Sequence, residues 1–155
     1  VGETFADNAV PKARTAAATL GRAAFADDSG IESAALEGAP GVRSARYAGE
    51  DATDAENLAK LRAEAPAGSG LAYVCALAYV DPETGAEHVF EGRCTGRMSA
   101  EARGERGFGY DPVFVPDDLP AGDERTMAEL SDDEKDRISH RGRAARALLA
   151  WLRAS

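Results

Sequence analysis

Asp27 and Asp28 stand side by side and run into Ser29-Gly30, and a Gly38-Ala39-Pro40-Gly41 turn then leads to Ser44-Ala45-Arg46-Tyr47. Carboxylates, a hydroxyl and an arginine gathered by tight turns meet the needs of a Mg²⁺–phosphate site. The cation is hard and takes oxygen ligands, while phosphate takes arginine and backbone donors. A second group is Gly107-Phe108-Gly109-Tyr110-Asp111-Pro112. Glycines on both sides of Phe108 let the backbone approach a flat ligand on which the ring can stack, and Asp111, held extended before a proline, can accept from a ring N–H. Taken alone, this segment reads first as a glycine-rich turn with Phe108 and Tyr110 as core plugs. The third group is Glu134-Lys135 followed by Ser139-His140-Arg141-Gly142. With Ser139 capping a helix, His140 and Arg141 occupy its first turn, where free N–H groups and the helix dipole favour an oxygen-rich ligand. The plain alternative is a capping cluster with a solvated arginine.

The elements that must position these groups follow from periodicity and caps. An alanine-rich helix is predicted from Asn8 to Leu20, with Asp7 rather than Thr4 as its N-cap, Pro11 in the first turn and Gly21 as its stop. A short buried strand, Ala23 to Ala26, then delivers Asp27 and Asp28 at its C-terminal end, where ligands gather in α/β sheets. Thr53 caps a helix running to Glu64, and 65–70 is a Pro/Gly/Ser loop. The apolar run Leu71–Val80, the turn Asp81–Gly85 and the run Glu87–Met98 form a long β-hairpin, with His88 structural or exposed. Residues 104–116 read as loop, strand, loop, and 119–124 as a surface turn. Ser131 and Glu134 form a capping box, and after Ser139 the stripe Ala144, Leu148, Leu149 and Leu152 is core. Helices alternating with strands, plus one hairpin, indicate an α/β fold with a mixed sheet.

The 155 residues are expected to form one domain, with 44% hydrophobic residues to fill its core. Cys75 and Cys94 lack CxxC spacing and read as buried free thiols in a reducing cytosol. A net charge of −9 argues against a surface that wraps nucleic acid. No apolar run approaches the ~20 residues that span a bilayer, so no membrane partner is expected. The cations are 15 Arg and three Lys (Lys12, Lys60 and Lys135). In so Arg-rich a chain a retained lysine suggests a role that a guanidinium cannot fill, although Lys60 reads as an ordinary surface residue.

Together the segments TFADNAVPKA, ADDSGIESAALEGAPGVRSARYAGEDATD, GFGYDPVF and AEL-SDDEK-x-x-ISHRGRA resemble, in order and spacing, the inosine triphosphate pyrophosphatase family. The resemblance covers nearly the whole chain. It implies a two-lobed α/β domain with a long twisted sheet flanked by helices and a substrate cleft between the lobes. It also implies a cytoplasmic homodimer that uses Mg²⁺ to hydrolyse ITP, dITP or XTP to the monophosphate and pyrophosphate. Residue by residue, it assigns proton acceptance and metal binding to Asp28, with Asp27 as a second candidate ligand. Ser29 becomes a substrate-contacting hydroxyl, and Lys12 and Arg46 phosphate contacts. Phe108, Gly109, Tyr110 and Asp111 become the base-recognition loop, and Lys135, His140 and Arg141 close over the nucleotide. The family's opening strand, its Thr/Ser-x-x-Asn-x-x-Lys phosphate loop and a metal-holding glutamate correspond to positions upstream of Val1, and Glu3 does not take that glutamate's place. On this resemblance the 155 residues alone are expected to be poorly stable and nearly inactive. Two rivals are a nucleotide-binding scaffold and a broader pyrophosphatase acting on damaged or pyrimidine bases.

Overall fold

The structure, a computed structural model, describes residues 2–154. Helix α1 spans Phe5–Leu20 and is capped by Thr4, whose side chain accepts from the Asp7 N–H while the Asp7 carboxylate accepts from the Thr4 N–H. Asp7 is therefore the third helical residue and not the cap, because the box closes one turn earlier than the alanine run suggests. Pro11 consequently lies inside the helix, on an exposed face, where only the bond to the Asp7 carbonyl is forgone. Gly21 ends the helix in the left-handed conformation.

Strand β1 spans Ala24–Ser33, β2 Gly70–Val80, β3 Glu87–Met98 and β4 Phe114–Pro116. They form one sheet in the order β1-β2-β3-β4, and every neighbouring pair is antiparallel. The α/β class holds, but among the described strands the expected mixed sheet is antiparallel. The excursion through 34–69 ends beside the last residue of β1 (Ser33 pairs with Leu71), so β2 must run back along it. Helix α2, Asp54–Glu64, carries the Thr53–Glu56 capping box, and α3, Asp132–Ile138, carries the Ser131–Glu134 box. Helix α4 spans His140–Ala154, and Ser139 accepts from the Gly142 N–H at its start.

Successive strand residues point to opposite faces of the sheet, and this alternation sorts the core. Val74, Ala76, Ala78 and Val80 meet Phe5, Ala9, Ala13 and Ala17 of α1 on one face. On the other face, Cys75 and Leu77 pack on Ala144 and Leu148 of α4 near the hairpin. Farther along that face, Ile31, Leu71, Tyr73 and Cys94 pack with Leu61, Tyr110, Phe114 and Met127. The two clusters lie on one sheet face, and a cleft opens where Ile31, Tyr73 and Tyr110 of the second meet His140 and Arg141 at the start of α4. Both thiols are buried and unpaired. Burial pushes the Cys94 thiol up to about 12 and raises that of Cys75, so both stay uncharged.

Only part of the stripe expected on the last helix is core: Ala144 and Leu148 are buried, whereas Leu149 and Leu152 are exposed. The rotation of α4 is set where its backbone lies on Gly92 of β3. A Cβ at Gly92 would collide with the His140 carbonyl and the Ala144 N–H. This close approach turns His140, Ala144 and Leu148 inward.

Candidate active site

The strand carrying the acidic pair does not stop at Ala26. It runs to Ser33 because β2 pairs with all ten of its residues, so Asp27 and Asp28 lie in mid-strand rather than at its end. Being adjacent, they project to opposite faces. Asp28 points to the α1 face, where Asn8 Nδ2 donates to Oδ2 at 3.3 Å and Lys12 Nζ lies 3.5 Å from Oδ1. Asn8 and Lys12 are one helical turn apart and so share the face of α1 that overhangs Asp28. Asn8 is held in turn by the Gly2 N–H, which donates to its Oδ1 at 2.8 Å. Asp27 points to the cleft face, where Ser29 Oγ donates to Oδ2 at 3.3 Å and Arg141 Nε lies 3.5 Å from the same oxygen.

The cleft holds about 190 Å³ and is lined by Ser29, Ile31, Tyr73, Phe108, Asp111 and His140 among others. Clefts that engulf a whole drug-sized ligand begin at about 300 Å³, so this one suits a single flat ring system. Phe108 is 58% exposed at its rim, with Lys135 Nζ 4.5 Å and the Arg141 guanidinium 5.4 Å from the ring centroid. Beneath it the buried Asp111 accepts from Lys135 Nζ and the Phe108 N–H at Oδ2, and from the Tyr73 hydroxyl at Oδ1. Gly107 has to be glycine here: φ is +73°, and a Cβ would strike Asp111 Oδ2. Tyr110 is a plug, its hydroxyl donating to the Ser44 carbonyl at 2.6 Å, and the Gly109 N–H donates to Asp54 Oδ2 at 3.3 Å. His140 stacks on Tyr73, and among the described residues its Nδ1 has no hydrogen-bond partner. Burial, followed by the neighbouring Arg141 charge, pushes His140 down to about 4, so the ring is neutral at pH 7.

The fold thus brings Ser29, Phe108, Asp111, Lys135, His140 and Arg141 to one cleft, and sets Lys12 and Asp28 on the other sheet face. Arg46 joins neither group. It sits in the 3-10 turn Gly41–Arg46, with Nε 3.9 Å from Glu50 Oε1. Lys60 is the surface residue expected, donating to the Tyr47 carbonyl at 3.0 Å. Three residues here receive no role from the sequence: Asn8, although it lies within the TFADNAVPKA motif, Tyr73 and Asn57, the last accepting from the Ala48 N–H and donating to the Ala45 carbonyl beneath the cleft.

Among the described residues, no three or more His, Cys, Asp or Glu side chains gather as a cage for a cation. Asp28 remains partly open, and both its contacts are long. Such a carboxylate fits Mg²⁺, which keeps several waters and is commonly held by one or two carboxylates plus substrate phosphates. Among the described residues no helix is long and apolar enough to cross a membrane.

The Ham1 family model matches residues 1–151. A protein from Mycolicibacterium paratuberculosis named dITP/XTP pyrophosphatase is 51% identical, over 97% of this chain and 74% of its own length. A protein of the same name from Mycobacterium tuberculosis is 50% identical, over 98% of this chain and 74% of its own length. A HAM1 protein structure from Coxiella burnetii superposes with a TM-score of 0.88 at 43% identity, covering 100% of this chain and 79% of that one. The Staphylococcus aureus Ham1 protein superposes at 0.87 with 39% identity, covering 99% and 79% respectively. Sequence and architecture agree along the whole chain, which belongs to the Ham1 family.

Proposed function

We propose that this chain is a Mg²⁺-dependent pyrophosphohydrolase that takes ITP, dITP or XTP with water to the nucleoside monophosphate and pyrophosphate. The observation that carries the reading is the cleft. An exposed aromatic ring is flanked by two cations over a buried carboxylate, next to the strand that bears Asp27 and Asp28. The names of relatives at about 50% identity support the same substrates.

In this reading the purine lies against Phe108, and stacking contributes ~1–3 kcal/mol. Lys135 and Arg141 offer donors toward a 6-oxo group. Adenine, which presents a 6-amino group there, would leave those donors desolvated and unpaired, so it is rejected strongly. β1 is an edge of the described sheet, so the triphosphate leaves the cleft around that edge to the α1 face, where Lys12 supplies positive charge and Asn8 fixes the Asp28 carboxylate. Asp28 orients water and accepts its proton as the water oxygen attacks the α-phosphorus and pyrophosphate departs. Asp28 would also hold Mg²⁺, which when bound neutralises phosphate charge. Asp27, engaged by Ser29 and Arg141, ties the base cleft to the reacting strand. A homodimer and a cytoplasmic setting belong to the same proposal and rest on the family resemblance.

The test is the product and its base dependence. ITP, XTP, UTP and ATP are incubated with Mg²⁺ and the protein, and pyrophosphate and orthophosphate are measured separately. Pyrophosphate from ITP and XTP in preference to ATP supports the proposal. Nucleotide binding without turnover supports a scaffold instead, and equal use of UTP supports the broader enzyme.

A further inference from the structure

Tyr73 has no place in the motifs above, yet it touches two of the groups assigned to the base. It lies on β2 at the floor of the cleft, 8% exposed. Its hydroxyl donates to Asp111 Oδ1 at 2.7 Å, and its ring stacks on His140 at 4.8 Å on centroids and 12° between planes. The ring also stacks on Phe114 at 4.5 Å, which anchors the phenol in the larger core cluster on that sheet face. Burial and the Asp111 charge hold the hydroxyl well above its usual pKa, so it remains a donor throughout the neutral range.

The geometry has a direction. Asp111 Oδ2 faces the rim of the pocket, receiving Lys135 Nζ and the N–H of Phe108 itself. Oδ1 faces the sheet and is met by the buried Tyr73 of β2. A carboxylate with both oxygens engaged cannot rotate about its Cβ–Cγ bond without breaking a bond at each end. Tyr73 thereby fixes the plane of Asp111, which fixes where Lys135 and the Phe108 backbone stand, while its ring sets the tilt of His140. We infer that the Tyr73 hydroxyl positions the groups that select the base, acting through Asp111, while its ring sets the tilt of His140. This inference rests on reading the cleft as the site of the base.

Tyr73→Phe is the test, since it keeps the ring stacks and volume and removes only the hydroxyl. Asp111 keeps two donors, so the lower end of a charge-assisted bond applies, and the ratio of kcat/KM for ITP over ATP should fall about tenfold. The loss should lie mainly in KM for ITP, with KM for ATP and inhibition by pyrophosphate unchanged. IMP should also lose its advantage over AMP in raising the melting temperature, a readout independent of turnover. In an Asp111→Asn background, Tyr73→Phe should change the ITP/ATP ratio less than twofold, because the hydroxyl then has no carboxylate to orient. A Tyr73→Phe protein that melts lower but keeps the ITP/ATP and IMP/AMP ratios would show a purely structural tyrosine and overturn the inference. If Asp111→Asn shifts the ratio and Tyr73→Phe does not, the inference fails while the cleft assignment stands. If neither Asp111→Asn nor Phe108→Ala shifts it, the cleft assignment fails and the inference fails with it.

Discussion

Replacing Lys135 by methionine asks whether that lysine serves the phosphates or holds the base cleft together. Lys135 Nζ meets Asp111 Oδ2, with side-chain exposures of 17% and 3%. Removing one member of a buried pair costs about 3–5 kcal/mol because the other charge is left uncompensated. Asp111 keeps the Tyr73 hydroxyl and the Phe108 N–H, and Lys135 is partly wet, so the lower end applies, about 3 kcal/mol. For a chain of this size that corresponds to a melting temperature lower by about 6–12 °C. Methionine fills the same volume, which keeps a packing loss out of the result. The assay is a double-mutant cycle by urea or thermal melts with Lys135→Met, Asp111→Asn and the pair. Once the carboxylate is neutral the lysine has less to compensate, so the two changes should couple by at least about 1.5 kcal/mol. Additive effects within about 0.5 kcal/mol would show that the pair does not hold the cleft together and would refute the reasoning.

Arg141→Ala should compress the ITP-to-ATP ratio, whereas Lys12→Ala should weaken all triphosphates about equally; steady-state kinetics on four nucleotides would expose the reverse pattern. Stability should also fall on acidification through His140. Its pKa drops from 6.5 in the unfolded chain to about 4 in the fold, so the unfolded state takes up the proton first. The resulting stabilisation is complete above pH 6.5 and is lost as the pH falls to about 4, amounting to about 3 kcal/mol across that window. Denaturant melts at pH 7.5 and 4.5 should show this drop, and His140→Gln should shrink it.

Local signals were legible in the sequence and non-local ones were not. The hairpin turn at Asp81–Gly85, the cap at Thr53 and the box at Ser131 are legible because each closes within a few residues. The extension of β1 through Asp27–Ser29 was not, since polar residues there look like loop until β2 is known to pair with them. The split of Asp27 and Asp28 to opposite faces was hidden with it, because side-chain parity has meaning only inside a strand. Tyr73 sits in an apolar run that reads as core, and its partner Asp111 is 38 residues away. The resemblance marks Lys135 as a ligand-side lysine, but its tie to Asp111 depends on how the segment before β4 folds over β2. The rotation of α4 escaped the stripe count because Gly92, on another element, decides it.

The most direct test of the account is pyrophosphate release from ITP by the parental protein and by Asp28→Asn, with Mg²⁺ and with folding checked by thermal melt. Asparagine keeps the shape of Asp28 and its place opposite Asn8 and Lys12 but removes the charge and the basicity. The account predicts pyrophosphate, not orthophosphate, from the parent, however low the turnover of these 155 residues alone, and a rate lower by a further ~10²-fold or more in an intact variant. An Asp28→Asn protein that releases pyrophosphate from ITP at the parental rate would contradict it.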